Sequence, residues 1–151
     1  MFDLDSIFFY SEIEASSSDE LFEQVAFQLH EKGYVREDYA QALSEREGEF
    51  PTGLPLPGGI ALPHTSADYV HRDAIVVVRL QSPIVFGEMG GDEEDKVNVS
   101  LAVFLVLSDA SAHLSVLTSL IQSFQDEEFR SALLNAEERS SVQKIIYEKI
   151  S

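Results

Sequence analysis

Apolar and polar positions along this 151-residue chain alternate between short β-prone runs and helical repeats. Ile7-Phe8-Phe9-Tyr10 reads as a strand, and Leu21, Phe22, Val25 and Leu29 then recur at the three- and four-residue intervals of an amphipathic helix. Ser17, with Glu20 three residues on, predicts a capping box at its start, and Gly33 predicts its stop. A second helical pattern over 36–47 keeps Tyr39, Ala42 and Leu43 on one side. Residues 50–59 hold three prolines and three glycines, a composition that predicts loop. A brief apolar segment, 59–62, follows and stops at Pro63-His64.

Residues 73–80 and 97–107 are rich in Val, Ile and Leu without polar alternation, as expected of central strands covered on both faces by helices. Between them Asp92-Glu93-Glu94-Asp95 lacks the alternating ligands and central glycine of a calcium loop, so a solvated turn is expected. The intervals separating Leu114, Leu117, Ile121 and Phe124 predict an amphipathic helix with those residues facing the core. Two further helices are expected over 127–134 and 137–150. Asn135 and Glu138 are read as a second capping box, and Val142, Ile145, Ile146 and Ile150 as the buried stripe. The pattern is that of one α/β domain spanning 1–151.

Charge narrows the function classes. Ten basic residues against 27 acidic ones give a net charge of −17, which repels phosphate backbones and anionic lipid, so neither nucleic acid nor membrane is an expected direct partner. Without cysteine there can be no disulfide, thiolate nucleophile or cysteine-based metal site. The first residues lack the basic n-region and apolar stretch of a secretory signal, and no apolar run approaches the roughly 18 residues of a membrane span. A cytoplasmic, soluble protein is expected.

Hydrolase and nucleotide-loop motifs are missing, which leaves four histidines to weigh. His30 falls near a helix end, where a cation complements the dipole. His71 stands beside Arg72 in a polar turn without further metal ligands nearby. His64 follows Pro63 at a strand end, a place where α/β proteins put reactive groups, although a plain turn residue fits there too. His113 opens the 114–124 helix, where free N–H groups and the positive dipole end favour an anion, against the alternative of a simple surface histidine. Together they suggest a place where a phosphoryl group is held or passed.

Four ordered segments carry a family resemblance: Arg46-Glu47, Pro51-Thr52-Gly53, Gly59-Ile60-Ala61-Leu62-Pro63-His64, and His113-Leu114-Ser115-Val116-Leu117. In them the chain resembles the enzyme IIA domains, fructose-mannitol type, of the bacterial phosphoenolpyruvate-dependent sugar phosphotransferase system. The resemblance implies a mixed sheet of about five strands flanked by helices on both faces. It implies a histidine, here His64, that accepts phosphate from phospho-HPr and gives it to an enzyme IIB, with His113 as second active-site histidine and Arg46 as the charge near the phosphorylated ring. No metal or cofactor is implied, and the membrane is met only through the permease complex. Arg46 to Leu54 is similar to the galactitol-type members, which makes galactitol the expected substrate. Two other readings stay open: a nitrogen-type regulatory enzyme IIA that signals by its phosphorylation state, and a non-enzymatic anion-binding module in which His64 only holds a ligand.

Overall fold

The computed structural model describes residues 3–150. Its elements in chain order are β1 (Ile7–Ile13), α1 (Ser18–Glu31), α2 (Tyr39–Glu49), β2 (Gly53–Leu54), β3 (Ile60–Ala61), β4 (Ala74–Gly87), β5 (Lys96–Val106), α3 (Ala110–Phe124), α4 (Glu127–Asn135) and α5 (Arg139–Ile150). The five strands form one mixed sheet in the order β1-β4-β5-β3-β2, with β1–β4 and β3–β5 parallel and the other two pairings antiparallel.

Strand alternation sorts the core into two halves. Val76 and Val78 of β4 and Ala102 and Phe104 of β5 face Leu21, Phe22 and Val25 of α1 and Tyr39 and Leu43 of α2. Their neighbours Ile75, Val77, Leu101, Val103 and Leu105 face Val116, Leu120 and Phe124 of α3, Leu133 of α4, and Val142 and Ile146 of α5. The continuous apolar runs read from the sequence are therefore strands covered on both sides, as expected.

Five local expectations change. Residues 50–59 are not all loop, because Gly53 and Leu54 pair with Ala61 and Ile60 as the edge strand β2. The second helix starts at Tyr39, not at 36, since Val35 is bridged to Val70 and the Arg36 N–H bonds the Tyr69 carbonyl. In α3 the buried face is Val116, Leu120 and Phe124, whereas Leu114 is 69% exposed. The helix carries more apolar side chains than the sheet can cover, and the 4-residue stripe, not the 3-4-3 one, meets β5. Asn135 ends α4, its amide donating to the Ser131 carbonyl, so it caps nothing in α5. The first capping box is half-formed: the Ser17 hydroxyl accepts the Glu20 N–H at 3.2 Å, but the Glu20 carboxylate takes the hydroxyl of Ser16.

Gly33 does stop α1, at φ 81°, with the Tyr34 N–H reaching back to the Leu29 carbonyl. Strand β4 runs on to Gly87 past a break in register between Arg79 and Ile84 that accommodates Pro83. Among the described residues no helix is long and apolar enough to cross a membrane.

Candidate functional site

Parallel pairing of β3 with β5 brings the C-terminal ends of both strands to one edge of the sheet. The chain leaves β3 through Leu62 and Pro63 into His64, and leaves β5 through Leu107 and Ser108 into α3 and His113. His64 and His113, 49 positions apart in sequence, consequently face each other with ring centroids 5.8 Å apart and planes inclined at 41°.

Backbone carbonyls orient both rings. The Nδ1 of His64 lies 2.7 Å from the Leu62 carbonyl oxygen. A carbonyl only accepts, so Nδ1 carries the proton and Nε2 keeps its lone pair. The His113 ring is hydrogen-bonded to the Leu105 carbonyl, and its Nε2 is buried without a partner among the described residues. Leu105 serves both histidines, since its N–H also donates to the Pro63 carbonyl at 3.1 Å and so anchors the turn that carries His64.

Both imidazoles are held neutral. Burial lowers the His64 pKa from its ordinary value, with the positive charge of Arg46 acting in the same direction and the Leu62 bond opposing. For His113 burial again comes first, followed by repulsion from His64, against the Leu105 bond and the Asp73 carboxylate. Arg46 lies in the last turn of α2, exposed, its guanidinium 4.6 Å from the centroid of the Phe50 ring. Its charge reaches both histidines without a hydrogen bond to either.

One expectation for His113 fails. The start of α3 does not offer a free set of N–H donors: Asp109 caps it, accepting from the Ser111 N–H and hydroxyl at 2.9 Å each, and the His113 N–H is bonded to the Asp109 carbonyl. The His113 backbone N–H is thereby committed within the helix.

Glu47 and Thr52 enter the sequence reading only as motif positions, with no role of their own. The buried Thr52 hydroxyl and N–H both donate to the Glu47 carboxylate, at 2.9 and 2.6 Å, while the same hydroxyl accepts the Leu62 N–H at 3.3 Å. Burial pushes the Glu47 carboxyl up to about 7, against the pull of the Thr52 bonds and of Arg46. His30 and His71 do not join the pair; both line a polar hollow with Arg36, Asp38 and Gln41. Among the described residues no three His, Asp or Glu side chains converge as metal ligands. An apolar groove of about 510 Å³ between α1 and β1 is lined by Tyr10, Ile13 and Phe27 and not by either site histidine.

The molecule is thus an α/β domain with a shallow, histidine-based site at its surface. A family model described as phosphoenolpyruvate-dependent sugar phosphotransferase system, EIIA 2, matches residues 1–149, and the chain belongs to that family of phosphotransferase components. It is 29% identical over 134 residues to the PTS system galactitol-specific EIIA component of Escherichia coli (strain K12), covering 88% of each chain. To the PTS system fructose-specific EIIA component of Haloferax volcanii it is 34% identical over 116 residues, 76% of this chain and 71% of that one. Among solved structures, the nitrogen regulatory protein IIA-Ntr from Neisseria meningitidis superposes with a TM-score of 0.75 at 28% identity, covering 95% of this chain and 94% of that one.

Proposed function

We propose that His64 is the phosphoryl-accepting nucleophile of a cytoplasmic sugar phosphotransferase relay, loaded by phospho-HPr and discharged to an enzyme IIB. The observation that carries this reading is the His64 Nδ1 to Leu62 carbonyl bond, which leaves Nε2 as a neutral, half-buried lone pair at a strand end. In the transfer that lone pair forms the new N–P bond as the donor's N–P bond breaks and its electron pair returns to the donor imidazole. Such in-line exchange between two nitrogens asks for alignment and charge stabilisation more than for acid-base chemistry. A macromolecular donor also explains a nucleophile on the surface instead of in the apolar groove.

Arg46 supplies fixed positive charge beside the incoming phosphoryl group. His113 supplies charge on demand. Neutral in the free protein, it meets a dianion once His64 is loaded, which favours its protonated form; Nε2–H then donates to a phosphoryl oxygen. The test is incubation with labelled phosphoenolpyruvate, enzyme I and HPr: acid-labile label should appear on His64 and be lost in His64→Ala, whose circular dichroism should match wild type. Full labelling of the folded variant would transfer the nucleophile's role elsewhere, with His113 next in line. No labelling of wild type would leave His64 as an anion-binding residue only.

Likeness to the galactitol-specific component supports a sugar alcohol, galactitol, as the permease substrate, met by the membrane-bound permease and not by this domain. The nitrogen regulatory neighbour supports the second reading, a regulator that signals by its phosphorylation state. Discharge of labelled protein to the IIB of a galactitol permease separates the two: rapid loss of label marks transport, and retention marks regulation.

A further inference from the structure

The His64 tautomer is fixed by the Leu62 carbonyl, so whatever fixes Leu62 fixes the nucleophile. Leu62 lies one position beyond the last β2–β3 pair, Gly53 with Ala61. Its N–H, which has no strand carbonyl opposite it, is taken by the Thr52 hydroxyl at 3.3 Å. Thr52 is 2% exposed, and its own hydroxyl proton has one acceptor, the Glu47 carboxylate at 2.9 and 3.1 Å. That carboxylate also takes the Thr52 N–H at 2.6 Å. Each donor in this line points the same way, from Leu62 to Thr52 to Glu47, while the next carbonyl along the chain, that of Leu62, receives the Nδ1–H of His64.

We propose that Glu47 and Thr52 are positioning residues for the nucleophile: they hold the Leu62 backbone so that its carbonyl keeps the His64 proton on Nδ1 and presents the Nε2 lone pair. This rests on the reading of His64 as the phosphoryl acceptor and goes beyond it by naming what sets the reactive nitrogen. Glu47 sits beside Arg46, the residue whose charge reaches both histidines, so consecutive positions of α2 divide the work: one side chain goes inward to the β2–β3 end, the other outward to the site face. Burial of the Glu47 carboxyl agrees with an inward, structural tether and not with a partner-facing charge.

The test compares Thr52→Val, which removes the hydroxyl at nearly equal size, with Thr52→Ser, which keeps it. Two readings are taken: the rate of phosphate acceptance from phospho-HPr, and the His64 tautomer from long-range proton–nitrogen correlation spectra of the unphosphorylated protein. Thr52→Val should shift His64 toward the Nε2–H tautomer and slow acceptance by about 10²-fold, the loss that a small misplacement of a reacting group produces. Thr52→Ser should stay within a few-fold of wild type with its tautomer unchanged. A merely structural role would lower stability and move neither reading. If Thr52→Val does not fold, Glu47→Gln takes its place, with a smaller shift of the same sign expected because one acceptor oxygen survives. A folded variant with wild-type rate and wild-type tautomer overturns the proposal. Because the tautomer needs no donor, its outcome is separable from that of the functional reading, which fails if wild-type His64 takes no label.

Discussion

The rings of His64 and His113 stand 5.8 Å apart, each tied to a backbone carbonyl from a different strand end, that of Leu62 after β3 and that of Leu105 in β5. Two imidazoles so close cannot both charge cheaply, and His64 depresses the protonation of His113. The arrangement leaves the Nε2 lone pair of His64 free of the Leu62 bond and the buried Nε2 of His113 without a hydrogen-bond partner among the described residues.

If His113 acts on the loaded state, His113→Ala should still accept phosphate but release it to IIB more slowly. Loss of one positioned donor acting in the transition state costs about 10²- to 10³-fold. Loading the variant with label and following discharge by rapid quench measures this directly. Discharge at the wild-type rate removes His113 from the mechanism, and failure to load extends its part to acceptance.

The same burial predicts a pH dependence. The folded His64 pKa lies below its ordinary value of 6.5, so between those two points the unfolded chain binds more protons than the native one. Stability is therefore fully present above pH 6.5 and declines as the pH falls toward the native pKa. The His64 imidazole stays neutral over the same interval. Ring titration by NMR should place the His64 midpoint below 6.5, and denaturant midpoints at pH 8 and 5.5 should differ less in His64→Ala than in wild type. A midpoint at or above 6.5 would contradict the buried, neutral imidazole.

Pattern boundaries put Pro63-His64 where the apolar segment of β3 stops and His113 where a helical repeat starts, and the fold brings those two rings together. The sequence pattern also separated the two central strands from their helical covers, since runs such as Ile75 to Val78 lack polar alternation. What it missed depends on pairing. Strand β2 has only two residues, set among prolines, and is visible only through its register with β3. The roles of Thr52 and Leu105 follow from that register and from the β3–β5 pairing, neither of which has a local signature. Spacing puts Leu114 on the core side and the fold leaves it exposed, because helical spacing gives the phase of an apolar stripe only when the stripe is narrow, and in α3 it is broad.

Gly59 is where the site's strand meets its neighbour most closely. It has φ +69°, and an added Cβ would collide with the Asn98 carbonyl oxygen of β5. Its own carbonyl accepts the N–H groups of Ser100 and Leu101. Gly59→Ala must push β3 off β5 or leave these bonds unmade, and a loss of about 3 kcal/mol or more is expected. Phosphate acceptance should fall with it, since β3 delivers Leu62 and His64. A melting temperature within 2–3 °C of wild type, roughly the shift of 1 kcal/mol in a chain of this size, would show that the strand adjusts without strain.

The acidic surface sets a last expectation. With a net charge of −17 on the domain, a donor with positive charge around its own histidine should be drawn by a field that is screened beyond about 8 Å at physiological ionic strength. Encounter should then depend on salt, whereas chemistry within the docked pair, over much shorter distances, should not. Stopped transfer assays with phospho-HPr at rising ionic strength should show the second-order rate falling while the rate at saturating donor stays level. A second-order rate that is flat from low to high salt would reduce the charge to a contribution to solubility, with docking left to contacts such as the exposed Leu114 and Phe50 beside the histidines and Arg46.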